Sequence, residues 1–149
     1  MLRLRPSVGR ALGAAGLAVL ALFLVPAAGA KLRLGLTVSD RTPAVGQPVT
    51  VVLRSGPPLD FDLKLIAVAP ARPWYDVVGV VTGESRLAKA KIPQDGFAVP
   101  VVRAAPNRWR AVVLFSRPGR WRLVIPNGAP RGFMIPPPVM EPVQVHRNP

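Results

Sequence analysis

Nineteen prolines and 13 glycines are spread through a chain of 149 residues, and they set the first limit on its architecture. A proline inside a helix costs ~3 kcal/mol, which argues against a helical bundle. Hydrophobic residues make up 50% of the chain, enough for burial to offset the entropy of ordering it. The length suits one domain with, at most, a tail. What remains open to such a chain is short strands joined by tight turns.

Period-two alternation, which puts every second side chain on one face of a sheet, runs through residues 31–149. Leu32, Leu34, Leu36 and Val38 alternate with Arg33, Gly35 and Thr37. After a turn around residues 42–48, Val49, Val51 and Leu53 alternate with Thr50, Val52 and Arg54. Ser55-Gly56-Pro57-Pro58 breaks that strand. A third strand is expected where Leu59, Phe61, Leu63 and Leu65 alternate with Asp60, Asp62 and Lys64. Further strands are expected over 74–81 and 97–103, with Pro100 marking an edge or a bulge in the second. Trp109, Ala111, Val113 and Phe115 form an inward set with Arg108 and Arg110 outward. Trp121, Leu123 and Ile125 form another, alternating with Arg120 and Arg122. A last strand is expected near 142–146, and only 84–91 offers a turn or two of helix. Seven or eight short strands of this kind predict an all-β, antiparallel β-sandwich.

Residues 1–30 have the three-part pattern of a secretory signal peptide. Arg3, Arg5 and Arg10 precede the uncharged run Ala11–Val25, and Pro26 and Ala28-Gly29-Ala30 follow. The run is short for a spanning helix, which needs ~20 apolar residues. Cleavage near Ala30 is therefore expected, leaving an exported domain over 31–149. An uncleaved anchor is the alternative. The chain has no cysteine, so an exported domain of this size rests on its core without disulfides.

Two corners carry a resemblance. Pro43-Ala44-Val45-Gly46-Gln47-Pro48-Val49-Thr50-Val51 resembles the opening corner of bacterial immunoglobulin-like domains. Phe115-Ser116-Arg117-Pro118-Gly119-Arg120-Trp121-Arg122-Leu123 resembles their later corner, where an aromatic two positions after a glycine enters the core as the chain crosses between sheets. Together they are similar to small exported domains of the YtkA-like, FixH-like and CopC-like kinds. The resemblance implies an immunoglobulin-like sandwich in an extracytoplasmic setting, and a shared fold does not by itself carry a function.

Catalysis finds little support. His146 is the single imidazole, and Ser39, Ser55, Ser85 and Ser116 all sit beside turn signals without a Gly-x-Ser-x-Gly elbow. Asp60 and Asp62 share a strand face, but Lys64 shares it too, which reads as a charge-balanced solvated strand. The chain is expected to be no enzyme and to need no cofactor. The CopC-like resemblance implies copper as an alternative, with Met134, Met140 and His146 recurring every six residues and thioethers suiting Cu(I). Against it, Lys31 would open the mature chain where a ligand histidine is needed, and no second histidine exists. Methionines among prolines and apolar residues also serve as packing. Calcium at Asp60 and Asp62 would need six to eight oxygens.

The net charge of +13 bears on partners. Arg108, Arg110, Arg120 and Arg122 flank the inward tryptophans and form a candidate contact to an anionic lipid or wall polymer. A merely solvated arginine-rich face is the plain alternative. Nucleic acid is not expected, because the tryptophans between these arginines point inward and offer no stacking surface. Residues 126–142 hold six prolines in a single loop-like segment, and long loops are often functional. Stiff Pro136-Pro137-Pro138 would present Phe133, Met134, Ile135, Val139 and Met140 to a partner at low entropic cost. The alternative buries them over an open end of the sandwich. The leading expectation is a non-enzymatic exported module that binds an envelope or secreted protein, with a copper carrier and an anionic-membrane-associated sandwich as alternatives.

Overall fold

The computed structural model describes residues 32–126 and 137–148. The signal-like segment, residues 127–136 of the proline-rich loop, and with them Phe133, Met134 and Ile135, lie outside the described residues. Eight strands and one helix follow in order: β1 Leu34–Val38, β2 Pro48–Ser55, β3 Leu65–Val68, α1 Trp74–Thr82, β4 Gly96–Val99, β5 Val101–Ala105, β6 Arg108–Leu114, β7 Gly119–Ile125 and β8 Val139–Val145. They form two four-stranded antiparallel sheets, β1-β2-β6-β5 and β4-β3-β7-β8. The first has the A-B-E-D order of the immunoglobulin constant-type sandwich, and β3-β7-β8 has its C-F-G order. Strand β4 is added beside β3.

The alternating side chains build the core between the sheets. Val49, Val51 and Leu53 from β2 and Trp109, Ala111 and Val113 from β6 meet Trp121, Leu123 and Ile125 from β7 and Val143 and Val145 from β8. Each large aliphatic side chain buried here contributes ~1.5–3 kcal/mol of transfer free energy. The opening corner ties the sheets together. Beyond β1, Asp40 accepts the Thr42 backbone N–H at 2.7 Å and the chain turns toward the other sheet. There Ala44 makes a parallel bridge to His146, the His146 N–H donates to the Pro43 carbonyl at 2.9 Å, and Arg41 pairs with Glu141 at 2.7 Å.

Five expectations are corrected. Residues 74–82 are helix, not strand, although Trp74, Tyr75 and four valines favour strands. Trp74, Val77, Val78 and Val81 fall at helical spacing, and they cover Ile66, Val68 and Val124 on the outer face of the second sheet. Pro73 starts the helix with extended backbone and Gly83 ends it at φ 70°. Residues 84–91, expected as helical, are not helix. The third strand begins only at Leu65; Leu59 and Leu63 are buried, but from irregular backbone. The expected strand 97–103 is two strands split at Pro100, on the edges of opposite sheets. A residue without an N–H suits that switch. Finally, β8 starts at Val139, so Val139 to Pro142 belong to a strand rather than to the loop.

Candidate functional site

The Asp62 carboxylate serves the fold. Asp62 Oδ1 accepts the indole N–H of Trp109 at 2.9 Å and the Nε–H of Arg103 at 2.9 Å. Arg103 also donates to the carbonyls of Leu59 at 2.6 Å and Phe61 at 2.7 Å, and its guanidinium lies 4.9 Å from the Trp109 ring centre. One arginine thus fastens the irregular segment before β3 to the end of the core. The Trp109 hydrogen bond, followed by that of Arg103, lowers the Asp62 pKa against an opposing desolvation. The balancing cation expected at Lys64 is therefore Arg103, from another strand. A depressed folded-state pKa stabilises above the unfolded value and is lost as pH falls through the folded one. Asp62→Asn should therefore melt below the wild type at pH 7, with the gap closing below about pH 4, where unfolded carboxylates protonate. Melting curves across pH check this; a gap independent of pH would show that charge plays no part.

Among the described residues, the outer face of the second sheet is only half covered. Helix α1 seals Ile66, Val68 and Val124, and leaves the start of β7 and its partner residues on β8 open. Arg120 and Arg122 project there beside Met140 and Pro142, because Arg122 is paired with Pro142 and Val124 with Met140. With Ala71 they line an open cleft of about 520 Å³. The turn that carries Ala71 is held hard against β7. A Cβ on Gly119 would lie 2.7 Å from the Pro70 ring, and Ala71 itself is a non-glycine residue at φ 59°, a costly conformation that its surroundings must impose.

The two arginines are in different states. Arg122 donates to the Arg72 carbonyl. Arg72 pairs at 2.8 Å with buried Asp95, which also accepts the Lys91 N–H at 2.7 Å. This chain of contacts fixes Arg122 on the turn. Arg120 is exposed and has no ion pair among the described residues. The cleft therefore offers one anchored and one available guanidinium beside an apolar wall, chemistry that suits a carboxylate or other anion next to an apolar group.

Of the residues expected to bind, the structure brings Arg120, Arg122 and Met140 together. Ala71 and Pro142 complete the cleft and were not anticipated. Pro142 was legible only through the register of β7 and β8. Val139 is partly buried against the core. Arg108 and Arg110 do not join Arg120 and Arg122, since β6 and β7 belong to different sheets and each pair points outward from its own. The expectation of one four-arginine contact is corrected to two surfaces on opposite sides of the sandwich. Met140 and His146 are not brought together either, being six residues apart on one extended segment, ~20 Å at strand rise. Met134 lies outside the described residues. No group of three His, Cys, Asp or Glu residues that could hold a metal occurs among the described residues. Compared with protein families and with curated proteins, the chain matches none.

Proposed function

We propose that the chain is an exported, non-enzymatic binding module of the kind that the YtkA-like, FixH-like and CopC-like resemblance implies, and that it contacts a protein of the envelope or its surroundings. The observation that carries this reading is the cleft at Arg120, Arg122, Met140 and Pro142. An available guanidinium beside an exposed methionine, on the half of a sheet that the helix leaves bare, suits an acidic and apolar partner segment. Phe133, Met134 and Ile135, also expected to meet a partner, precede β8 in sequence and lie outside the described residues.

A photo-crosslinking residue placed at Met140 in the native host, followed by mass spectrometry, tests the proposal. One dominant protein adduct is expected. Arg120→Gln, added to the chain that carries the crosslinking residue at Met140, should lower that partner's recovery at least tenfold, about 1.4 kcal/mol of affinity. Both side chains are exposed, so the melting temperature should move by no more than a few degrees. Adducts only between copies of the chain, or recovery unchanged by Arg120→Gln, would overturn the reading.

A further inference from the structure

The outer face of the first sheet, on the side of the sandwich away from the cleft, has an arrangement that the fold alone does not explain. Arg54 on β2 stands directly opposite Arg108 on β6, and Arg110 follows two residues along β6 on the same face. Cross-strand neighbours have Cβ atoms ~5 Å apart, and like charges placed so are destabilising. Among the described residues no carboxylate pairs with any of the three. The repulsion is built into the two central strands, where neither backbone can move aside. Around and beyond these arginines the face is mostly aliphatic, with Thr37 and Thr50 the uncharged polar residues on β1 and β2. Val52 and Val102 flank Arg110 on its two neighbouring strands, and Val112 and Leu114 continue β6. Val102, Val112 and Leu114 are all more than half exposed.

We infer that this face docks on a bilayer containing anionic lipid. Phosphates relieve the uncompensated guanidinium cluster, and the aliphatic side chains enter the boundary between headgroups and acyl chains while the arginines stay at phosphate level. The face favours a lipid layer over an acidic protein. It is the broad side of a sheet, with short branched side chains between its cations, and a layer of laterally mobile phosphates can adjust to that spacing. Nucleic acid is disfavoured because Trp109, the aromatic nearest these arginines in sequence, is fully buried beneath the face. The inference goes beyond the proposed partner cleft and uses none of its residues.

The test is sedimentation with phosphatidylcholine vesicles, with and without phosphatidylglycerol, using the full chain. The readout is the ratio of binding to the two vesicle types, compared between variants that share the same N-terminal segment. Each arginine near an anionic surface strengthens partitioning about fivefold, so the Arg54→Gln, Arg108→Gln, Arg110→Gln variant should lose on the order of a hundredfold in that ratio. A charge-matched control, Arg86→Gln, Lys89→Gln, Arg147→Gln, at exposed positions outside both surfaces, should lose far less. Added salt should weaken the wild type steeply, and Val112→Ser with Leu114→Ser should weaken binding at constant salt dependence. Equal losses in both triple variants would mean that net charge alone acts, and would overturn the inference. So would complete displacement from vesicles by soluble polyglutamate at matched charge, which would identify an acidic polypeptide as the preferred occupant. Failure here leaves the Met140 crosslink untouched, and the reverse also holds.

Discussion

Trp121→Ala is expected to lower the unfolding free energy by ~3–5 kcal/mol, the usual cost of deleting a fully buried tryptophan. For a domain of about a hundred residues that corresponds to a fall in melting temperature of roughly 15–25 °C. Trp121 is 1% exposed and stands where β7 enters the core. Its ring lies 5.3 Å from Phe115 and 6.0 Å from Phe97, so it joins the end of β6 to the edge strand β4. Its indole N–H donates to the Arg117 carbonyl at 2.9 Å, and the Arg117 guanidinium lies 5.9 Å from the ring centre. The side chain thus fills the core and fastens the turn between β6 and β7. Alanine removes both roles and leaves a cavity that three elements would have to collapse to fill. Trp121→Phe separates the contributions, since it keeps an aromatic in the cavity and loses the hydrogen bond, worth about 1 kcal/mol. Denaturant unfolding of the three proteins measures the difference. A loss below 1 kcal/mol for alanine would mean that the corner does not depend on this ring.

The two Arg-Trp-Arg triplets show which parts of this molecule are written locally. In both, alternation places the tryptophan inward and the arginines outward, and Trp109 and Trp121 are indeed buried. The same local pattern hides which sheet each strand joins. Two strands on opposite sheets can send identical residues into one core while their arginines leave from opposite sides. The resemblance of residues 115–123 to a crossing corner already implied that separation; the single four-arginine contact ignored it. Pairing is a long-range property, and the cleft depends on it, because Met140 meets Arg120 and Arg122 only through the β7–β8 register. The Asp62–Arg103 clasp spans 41 residues and has no local signature.

Helix α1 was hidden for another reason. Its valines and aromatics favour strands, although Trp74, Val77, Val78 and Val81 recur at helical spacing. The deciding signal lay elsewhere. Residues 65–69 read Leu-Ile-Ala-Val-Ala without a polar residue, and all five are buried. A strand that is apolar on both faces needs cover on both, and the sandwich core supplies only one. The next segment with an apolar stripe had to supply the other. In β1, β2, β6 and β7, where polar residues mark part of the outer face, alternation was sufficient.

That helix rests on a close approach, which sets the second large effect. Gly96→Ala should cost about 3 kcal/mol, the upper end of the usual range for overpacking. Gly96 begins β4 opposite Val68, directly beneath α1. A Cβ there would lie 2.4 Å from the Ala67 carbonyl oxygen and 2.4 Å from Val77 Cγ1. The valine methyl can rotate away, but the carbonyl belongs to the backbone of a central strand and cannot yield without breaking its ladder. Relief must therefore come from displacing β4 or lifting α1, and the helix has fewer contacts to lose. The variant should accordingly loosen from the helix side first. Amide exchange at Val77 and Val78 should accelerate more than at Val51 or Val113, since local opening follows the weakest cooperative unit. Exchange rising equally in both sheets would place the strain in the sandwich itself, and an alanine variant as stable as the wild type would mean that helix and sheet do not approach through this glycine.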